Sequence, residues 1–276
     1  MGDLGRAGLV AVHREILPLL ERFQEEGQER YGEAVLRTGS IGGRPVALAE
    51  VPVGPVNAAL GAQALIARYR VASLIGFGSA GALDDGLRAG DLVIAQRAIA
   101  HDAGRFLGRR FEATGIMGRD GRGQIGFRRA FDADPALVAS AEAAARLLGA
   151  QARSGTVVTG NQSIFSTARK RWLRQTFGAL AVEMETAAVA QTAVAHSLPW
   201  LAVRGISDTA SDELILDYGR LQVCLDEGWP RWRQQVGRWM YLLAHPGAWR
   251  RLRRLHSGLA LASVQASRLV EAMLQG

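Results

Sequence analysis

The chain has 276 residues, 48% of them hydrophobic and 21% charged, which suits one sizeable α/β domain with an appendage and excludes a disordered chain. Its formal charge of +7 is arginine charge, since Lys170 is the only lysine, and residues 228–270 alone hold eight arginines and no acid. The remainder is therefore nearly neutral, which disfavours nucleic acid as a partner of the whole fold.

Residues 8–12 form a short apolar run, and Ile16, Leu17, Leu19, Leu20 and Phe23 follow at helical spacing, so a buried strand should lead into an amphipathic helix. Residues 35–40 and 45–51, on either side of Gly42-Gly43-Arg44, read as a hairpin. A helix over 57–69, a central strand over 72–77 and another strand over 91–98 come next. Residues 104–129, rich in glycine and arginine and without periodicity, read as a long loop or lid. Asp134-Pro135 opens an alanine-rich helix to about Gly149. Three short apolar strands (156–159, 179–183, 201–206) alternate with helices over 167–177 and 185–197. This alternation predicts a three-layer α/β/α domain around a mixed, largely buried sheet, over residues 8–212. A helical extension over 213–276 follows, interrupted by Pro230 and His245-Pro246-Gly247.

The single cysteine, Cys224, excludes an intrachain disulfide and a thiolate zinc site. The five histidines have no persuasive ligand spacing, so no metal and no cofactor are expected, and His101-Asp102 reads as a structural pair. No apolar run reaches membrane-spanning length, which points to a cytoplasmic protein with peripheral membrane contact as the alternative.

Gly76-Phe77-Gly78-Ser79-Ala80-Gly81 has the glycine spacing of a dinucleotide loop, but residues 82–91 turn twice and re-enter a strand where that motif needs a helix N-terminus. Two readings remain: glycines that let a strand end turn tightly, or a loop kept small so that a substrate can lie against its amides. Glu183 and Glu185, in Val182-Glu183-Met184-Glu185-Thr186, end a buried strand where a helix begins. Carboxylates there suit substrate hydroxyls and equally a helix start. Asp208 ends the next strand in Arg204-Gly205-Ile206-Ser207-Asp208, a position that also suits a turn or cap. Ser79, Glu185 and Asp208 at strand ends of one sheet together point to a ligand site.

GSAGAL at 78–83, GDLVIA at 90–95, HDA at 101–103, VEMETAAVAQ at 182–191 and RGISD at 204–208 resemble, in order and spacing, the purine nucleoside phosphorylase superfamily. Within it the likeness is greatest to the 5′-methylthioadenosine/S-adenosylhomocysteine nucleosidases. The resemblance implies hydrolysis of an adenine nucleoside, with Asp208 as general acid at purine N7 and Glu15 as the carboxylate that activates water. It implies that Glu185, beside Glu183, takes the 2′ and 3′ hydroxyls, with Met184 against the sugar. Ser79 and Gly81 would lie near the reacting carbon, Ser163 and Ile164 in the segment whose backbone reads the adenine edge. Arg204 and Ser207 would orient Asp208 or support the carboxylates.

Two positions depart from the family's pattern, and a third bears on the choice between water and phosphate. Ser163 stands where an adenine-stacking phenylalanine is expected, with Phe165 two residues on. Glu15 lies one residue early, counted back from Leu19-Leu20, with Ile16 at the expected place; its other reading is an exposed carboxylate in a helix's first turn. Gly76 stands where phosphorylases carry a phosphate-binding arginine, which favours water over phosphate, although Arg14 and the arginines of 104–129 could form another anion site. The alternatives are a phosphate-dependent phosphorylase, an adenosylhopane-type enzyme of hopanoid synthesis, and a non-catalytic nucleoside-binding module.

In the tail, Trp232, Val236, Trp239 and Leu243 fall at helical spacing, as do Leu252, Leu255 and Leu259, leaving arginines on the opposite face. Helices packed on the domain or on a second subunit of a homodimer fit this pattern. So does peripheral membrane contact through 229–259, where tryptophan and arginine flank an apolar stripe.

Overall fold

The computed structural model describes residues 5–108, 110–119, 124–213, 232, 236 and 246–276. The readings that rest on Cys224, Pro230, Trp239 and Leu243 lie outside the described residues. The first apolar run forms β1 (Arg6–Val12), with residues 8–11 buried. The helix expected behind it is a single turn, α1 (Leu17–Leu20), which buries Ile16 and Leu19 and then stops. The chain enters an unforeseen strand, β2 (Gln24–Tyr31), none of whose residues is buried. A strand at the sheet's edge that is polar on both faces carries no alternation for sequence reading to find.

β3 (Ala34–Ile41) and β4 (Arg44–Val51) form the expected hairpin. Gly42 and Gly43, at φ 56° and 80°, take the two left-handed positions of its turn. Then come α2 (Pro55–Arg68), β5 (Val71–Ala82) and β6 (Leu92–Ala100). The stretch read as a loop is two antiparallel ribbons instead: β7 (Gly104–Leu107) with β8 (Arg110–Ala113), and β9 (Ile116–Arg119) with β10 (Ile125–Arg128). The first is anchored by aromatic contacts, Phe106 tilted on Phe111 at 5.3 Å and Phe111 edge-on to Trp172 at 6.1 Å. Such pairing depends on partners remote in sequence. β11 (Phe131–Asp132) and α3 (Pro135–Leu147) follow, the helix capped by Asp134, whose side chain accepts from the amides of Ala136 and Leu137. β12 (Ala152–Thr159), α4 (Thr167–Phe177), β13 (Ala181–Glu183), α5 (Thr186–Ala195) and β14 (Trp200–Asp208) keep the expected order. The last helix, α6, is Pro246–Gln275.

The mixed sheet runs β11-β6-β12-β13-β5-β1-β4-β3-β2, and β14 pairs with both β5 and β6. That double pairing closes β5, β14, β6, β12 and β13 into a ring, which removes the sheet edges at the centre of the molecule. All nine residues of β14 are buried, and its end, Asp208, lies opposite Gly81 of β5. α2 packs on α5, and α6 packs on β14 and β5 and against α1 and α3. The tail therefore joins the main core through Ala266, Leu269, Val270 and Leu274. Its arginines at 250, 251, 253, 254 and 268 are exposed while Leu252 and Leu255 are buried, as their spacing predicts.

α6 approaches β14 backbone to backbone. A Cβ on Gly258 would overlap the carbonyl of Ser207, and one on Gly205 would overlap that of Ala262. Gly→Ala within a helix ordinarily stabilises by up to about 1 kcal/mol. At Gly258 the overlap should reverse the sign, so Gly258→Ala is expected to destabilise by about 1–3 kcal/mol in urea melts. A stabilised variant would contradict this packing.

Candidate active site

The glycine motif is part of a strand, not a turn: β5 runs through it to Ala82. Its glycines clear space for side chains arriving from elsewhere. A Cβ on Gly78, at φ 152°, would overlap the Glu15 carboxylate, and one on Gly81 would stand 3.3 Å from Asp208 Oδ2. Gly76 faces the methyl groups of Ala202 and Val189, an apolar position with no room for an arginine's charge.

Glu15 reaches this strand from the turn before α1. Ser79 donates twice to its Oε1, from the amide at 3.0 Å and from the hydroxyl. Its Oε2 is buried with no hydrogen-bond partner among the described residues. The reading of Glu15 as an exposed first-turn carboxylate is thus overturned, and Ile16, at the expected catalytic position, is fully buried in the core. The short turn directs one residue inward to the core and its neighbour to the site. Burial raises the Glu15 carboxyl above the usual carboxylate range, against Arg204 and the Ser79 hydrogen bonds.

Arg204, 1% exposed, is the only described cation in contact with this group of acids. Its Nη2 pairs with Glu183, its Nη1 lies 3.7 Å from Glu185 Oε2, and its Nε donates to Thr186 Oγ1 at 3.0 Å. Glu183 is saturated: Thr159 Oγ1 donates to its Oε1 at 2.5 Å, and the amides of Glu185 and Thr186 donate to its Oε2 at 2.9 and 2.8 Å. It thereby caps α5. Glu185 turns the other way and accepts the Gly54 amide at 2.9 Å. Burial first, then the charge of Glu183, push the Glu185 carboxyl up to about 7.

Asp208 sits apart from these acids. Ser207 Oγ lies 2.6 Å from its Oδ1 and 3.1 Å from the carbonyl of Ala80, so one hydroxyl proton serves two acceptors. Lys170 Nζ donates to its Oδ2. Ser207 and Lys170 thus contact Asp208, whereas Arg204 contacts Glu183 and Glu185. Ser163 Oγ stands 3.8 Å from Met184 Sδ, bringing the 160–164 segment against 182–185. That segment is fixed by the HDA motif, whose two members do not pair with each other. Asp102 Oδ2 accepts the Asn161 amide at 2.9 Å, and the His101 ring fills the space a side chain at position 160 would need. Burial holds His101 below the usual histidine range.

Gly54, Thr159 and Lys170 belong to the site, and sequence reasoning missed them. Lys170 carried a readable signal, because the chain's only lysine falls three residues from Leu173, on the helix's apolar face. Gly54 and Thr159 carried none. No group of three or more His, Cys, Asp or Glu among the described residues is arranged to hold a metal ion, and no described helix is long and apolar enough to cross a membrane.

A mixed α/β sheet with acids converging on one buried arginine at its strand ends defines a small-molecule site of an α/β enzyme. The chain belongs to the phosphorylase superfamily, whose family model matches residues 6–220. It is 35% identical over 206 residues to the 5′-methylthioadenosine/S-adenosylhomocysteine nucleosidase of Geobacillus thermodenitrificans, covering 74% of this chain and 83% of that protein. Among solved structures, the nucleosidase of that name from Neisseria meningitidis, in complex with methylthio-immucillin-A, matches at TM-score 0.74 and 25% identity. It covers 98% of this chain and 99% of that one. The futalosine hydrolase of Helicobacter pylori shares the fold at TM-score 0.72 and 22% identity, covering 99% of this chain and 98% of that one.

The raised Glu185 carboxyl gives stability a definite pH dependence. Between the ordinary carboxylate value of 4.5 and about 7, the folded chain keeps a proton that the unfolded chain has released. Stability should therefore fall from pH 5 to 7, by at most about 1.4 kcal/mol per pH unit for one proton, and level off above. Urea melts at pH 5, 6, 7 and 8 should show this slope, and Glu185→Gln should reduce it.

Proposed function

We propose that this protein hydrolyses the N-glycosidic bond of an adenine nucleoside of the methylthioadenosine or S-adenosylhomocysteine type, releasing adenine. The observation that carries the reading is the pair of carboxylates that meet β5 within a few residues of each other. Glu15 is held at Ser79 with one buried oxygen bare, and Asp208 stands against Gly81, two residues further on. Ser79 and Gly81, two apart on the strand, lie about 7 Å from each other, a spacing that leaves room for a sugar with water on one side and a base on the other.

In this reading the bare Oε2 of Glu15 takes a proton from water as that water attacks the anomeric carbon, and Asp208 gives a proton to N7 of the departing purine. Glu185, lining the sugar end with Met184, accepts from the ribose hydroxyls. Glu183, saturated by its own donors, supports Arg204 and the start of α5 without meeting the ligand. Ser163 and Ile164 border the base, with Ser79 and Gly81 beneath the reacting carbon.

Water is favoured over phosphate by charge. Arg204 is the cation among three acids, Glu15, Glu183 and Glu185, and it is already committed to two of them. A phosphate dianion would enter a site of its own sign. Arg14 is exposed, and Gly76 offers an apolar wall.

Incubation with methylthioadenosine, S-adenosylhomocysteine and adenosine, with and without phosphate, should release adenine at a rate independent of phosphate. Absence of adenine from all three would sink the reading, and strict dependence on phosphate would make the protein a phosphorylase. Asp208→Asn and Glu15→Gln should each lower kcat by at least about 10²-fold while nucleoside binding remains measurable. The raised Glu15 carboxyl places an acidic limb in the kcat/KM profile, activity rising with pH as it ionises.

Two surface features support a homodimer and a peripheral membrane contact as further parts of this proposal. Val53, Val56 and Leu60 make an exposed apolar ridge on and before α2, which fits a second copy of the chain. Leu252 and Leu255 are buried, and Trp232 and Val236 are exposed and would face the lipid. Sedimentation with and without anionic vesicles reads both. A monomer would discard the dimer, and no vesicle-bound fraction would discard the lipid contact.

A further inference from the structure

Lys170 is fully buried on α4, beside Leu173 on the helix's inner face. An ammonium taken out of water costs several kcal/mol unless each of its three protons finds an acceptor. Here each does: Nζ donates to Asp208 Oδ2, to the Thr209 carbonyl at 2.7 Å and to the Asp212 carbonyl at 3.2 Å. One acceptor is the carboxylate assigned above to the leaving group. The other two are backbone groups of the residues immediately behind it. That stretch is tied further by Asp212, whose Oδ2 accepts from the Thr209 amide at 2.9 Å and whose Oδ1 accepts from Arg254 of α6 at 3.1 Å.

We propose that Lys170 is a positioning residue for leaving-group protonation: it donates to Oδ2 of the Asp208 carboxyl in its protonated form, Ser207 holds Oδ1, and the proton that passes to N7 is carried on Oδ1. The proposal rests on the reading of Asp208 as the general acid. The carboxylate's own torsion is soft and roughly two-fold, so one contact does not set its plane. The Ser207 contact is weak as an anchor, because its single proton is shared with the Ala80 carbonyl. The charge-assisted bond from Lys170 is the stronger of the two and comes from a side chain that packing has already immobilised. With Lys170 removed, the carboxylate is free to turn from the purine edge, and a displacement of about 1 Å costs about 10²-fold in rate. Lys170 touches neither sugar nor water in this scheme, so its loss should act on kcat and leave binding intact.

The test compares Lys170→Met, Lys170→Arg and Asp208→Asn in the full chain. Lys170→Met is expected to lower kcat on methylthioadenosine by about 10–100-fold with KM changed less than about threefold. Lys170→Arg should recover most of the loss. On the p-nitrophenyl 5-methylthioriboside, whose leaving group departs without a proton, Lys170→Met should match the unaltered enzyme. A kcat kept within threefold overturns the proposal, and so do equal losses on both substrates, which would mark a purely structural lysine. Where the methionine variant fails to fold, Lys170→Gln carries the same comparison. If Asp208→Asn retains full turnover, the general-acid assignment itself falls. If only the Lys170 variants retain it, the positioning role alone falls.

Discussion

The site depends on one buried guanidinium. Arg204 is taken wholly out of water, which is tolerable only because carboxylates and a hydroxyl surround it. The same arrangement makes the acids unequal. Glu183 takes the closest contact and two helix amides, so its negative charge is matched where it sits. Glu185 is left with a distant guanidinium nitrogen and one amide, and its carboxyl is pushed up to about 7. Glu15 is raised as well and keeps an oxygen without a partner. One cation thus divides three chemically similar groups into one saturated by donors and two whose carboxyls are raised by burial.

The second constraint is spatial. β5 can receive Glu15 and Asp208 only because it presents glycine where each arrives, at Gly78 and Gly81. The closed ring of strands puts the end of β14 beside β5, so that Asp208 lies next to Gly81 although 127 positions separate them. α6 presses the same strand from outside through Gly205 and Gly258, glycines on both sides of the contact, and Arg254 extends that contact to Asp212. The region described from sequence as an extension therefore braces the strand that carries the proposed acid.

Much of the fold was legible. The alternation of apolar runs with helical spacing placed β1, the β3–β4 hairpin, α2, α4 and β14 close to where they lie, because each buries a periodic face. β2 escaped because an exposed edge strand has no such face. The 104–129 ribbons escaped because their pairing depends on aromatic contacts with α4. In the site, the motifs at 182–191 and 204–208 marked Glu183, Glu185 and Asp208 as carboxylates at or beside strand ends, while Arg204 lies in the middle of β14. The environment of each was not legible, since it is set by hydrogen bonds from Thr159, Gly54 and Lys170, all remote in sequence.

The sequence by itself determined the element order, the family likeness and the set of acids, since these follow from local periodicity and from motifs a few residues long. Only the tertiary structure decided that Glu15 and not its neighbour turns toward the site, that the glycines form an open strand face, and that the chain's one lysine is buried against Asp208. Each of those depends on which groups meet across distant segments. Burial and charge neutralisation act on the neighbours a side chain finds in space, and those are fixed only when the sheet closes.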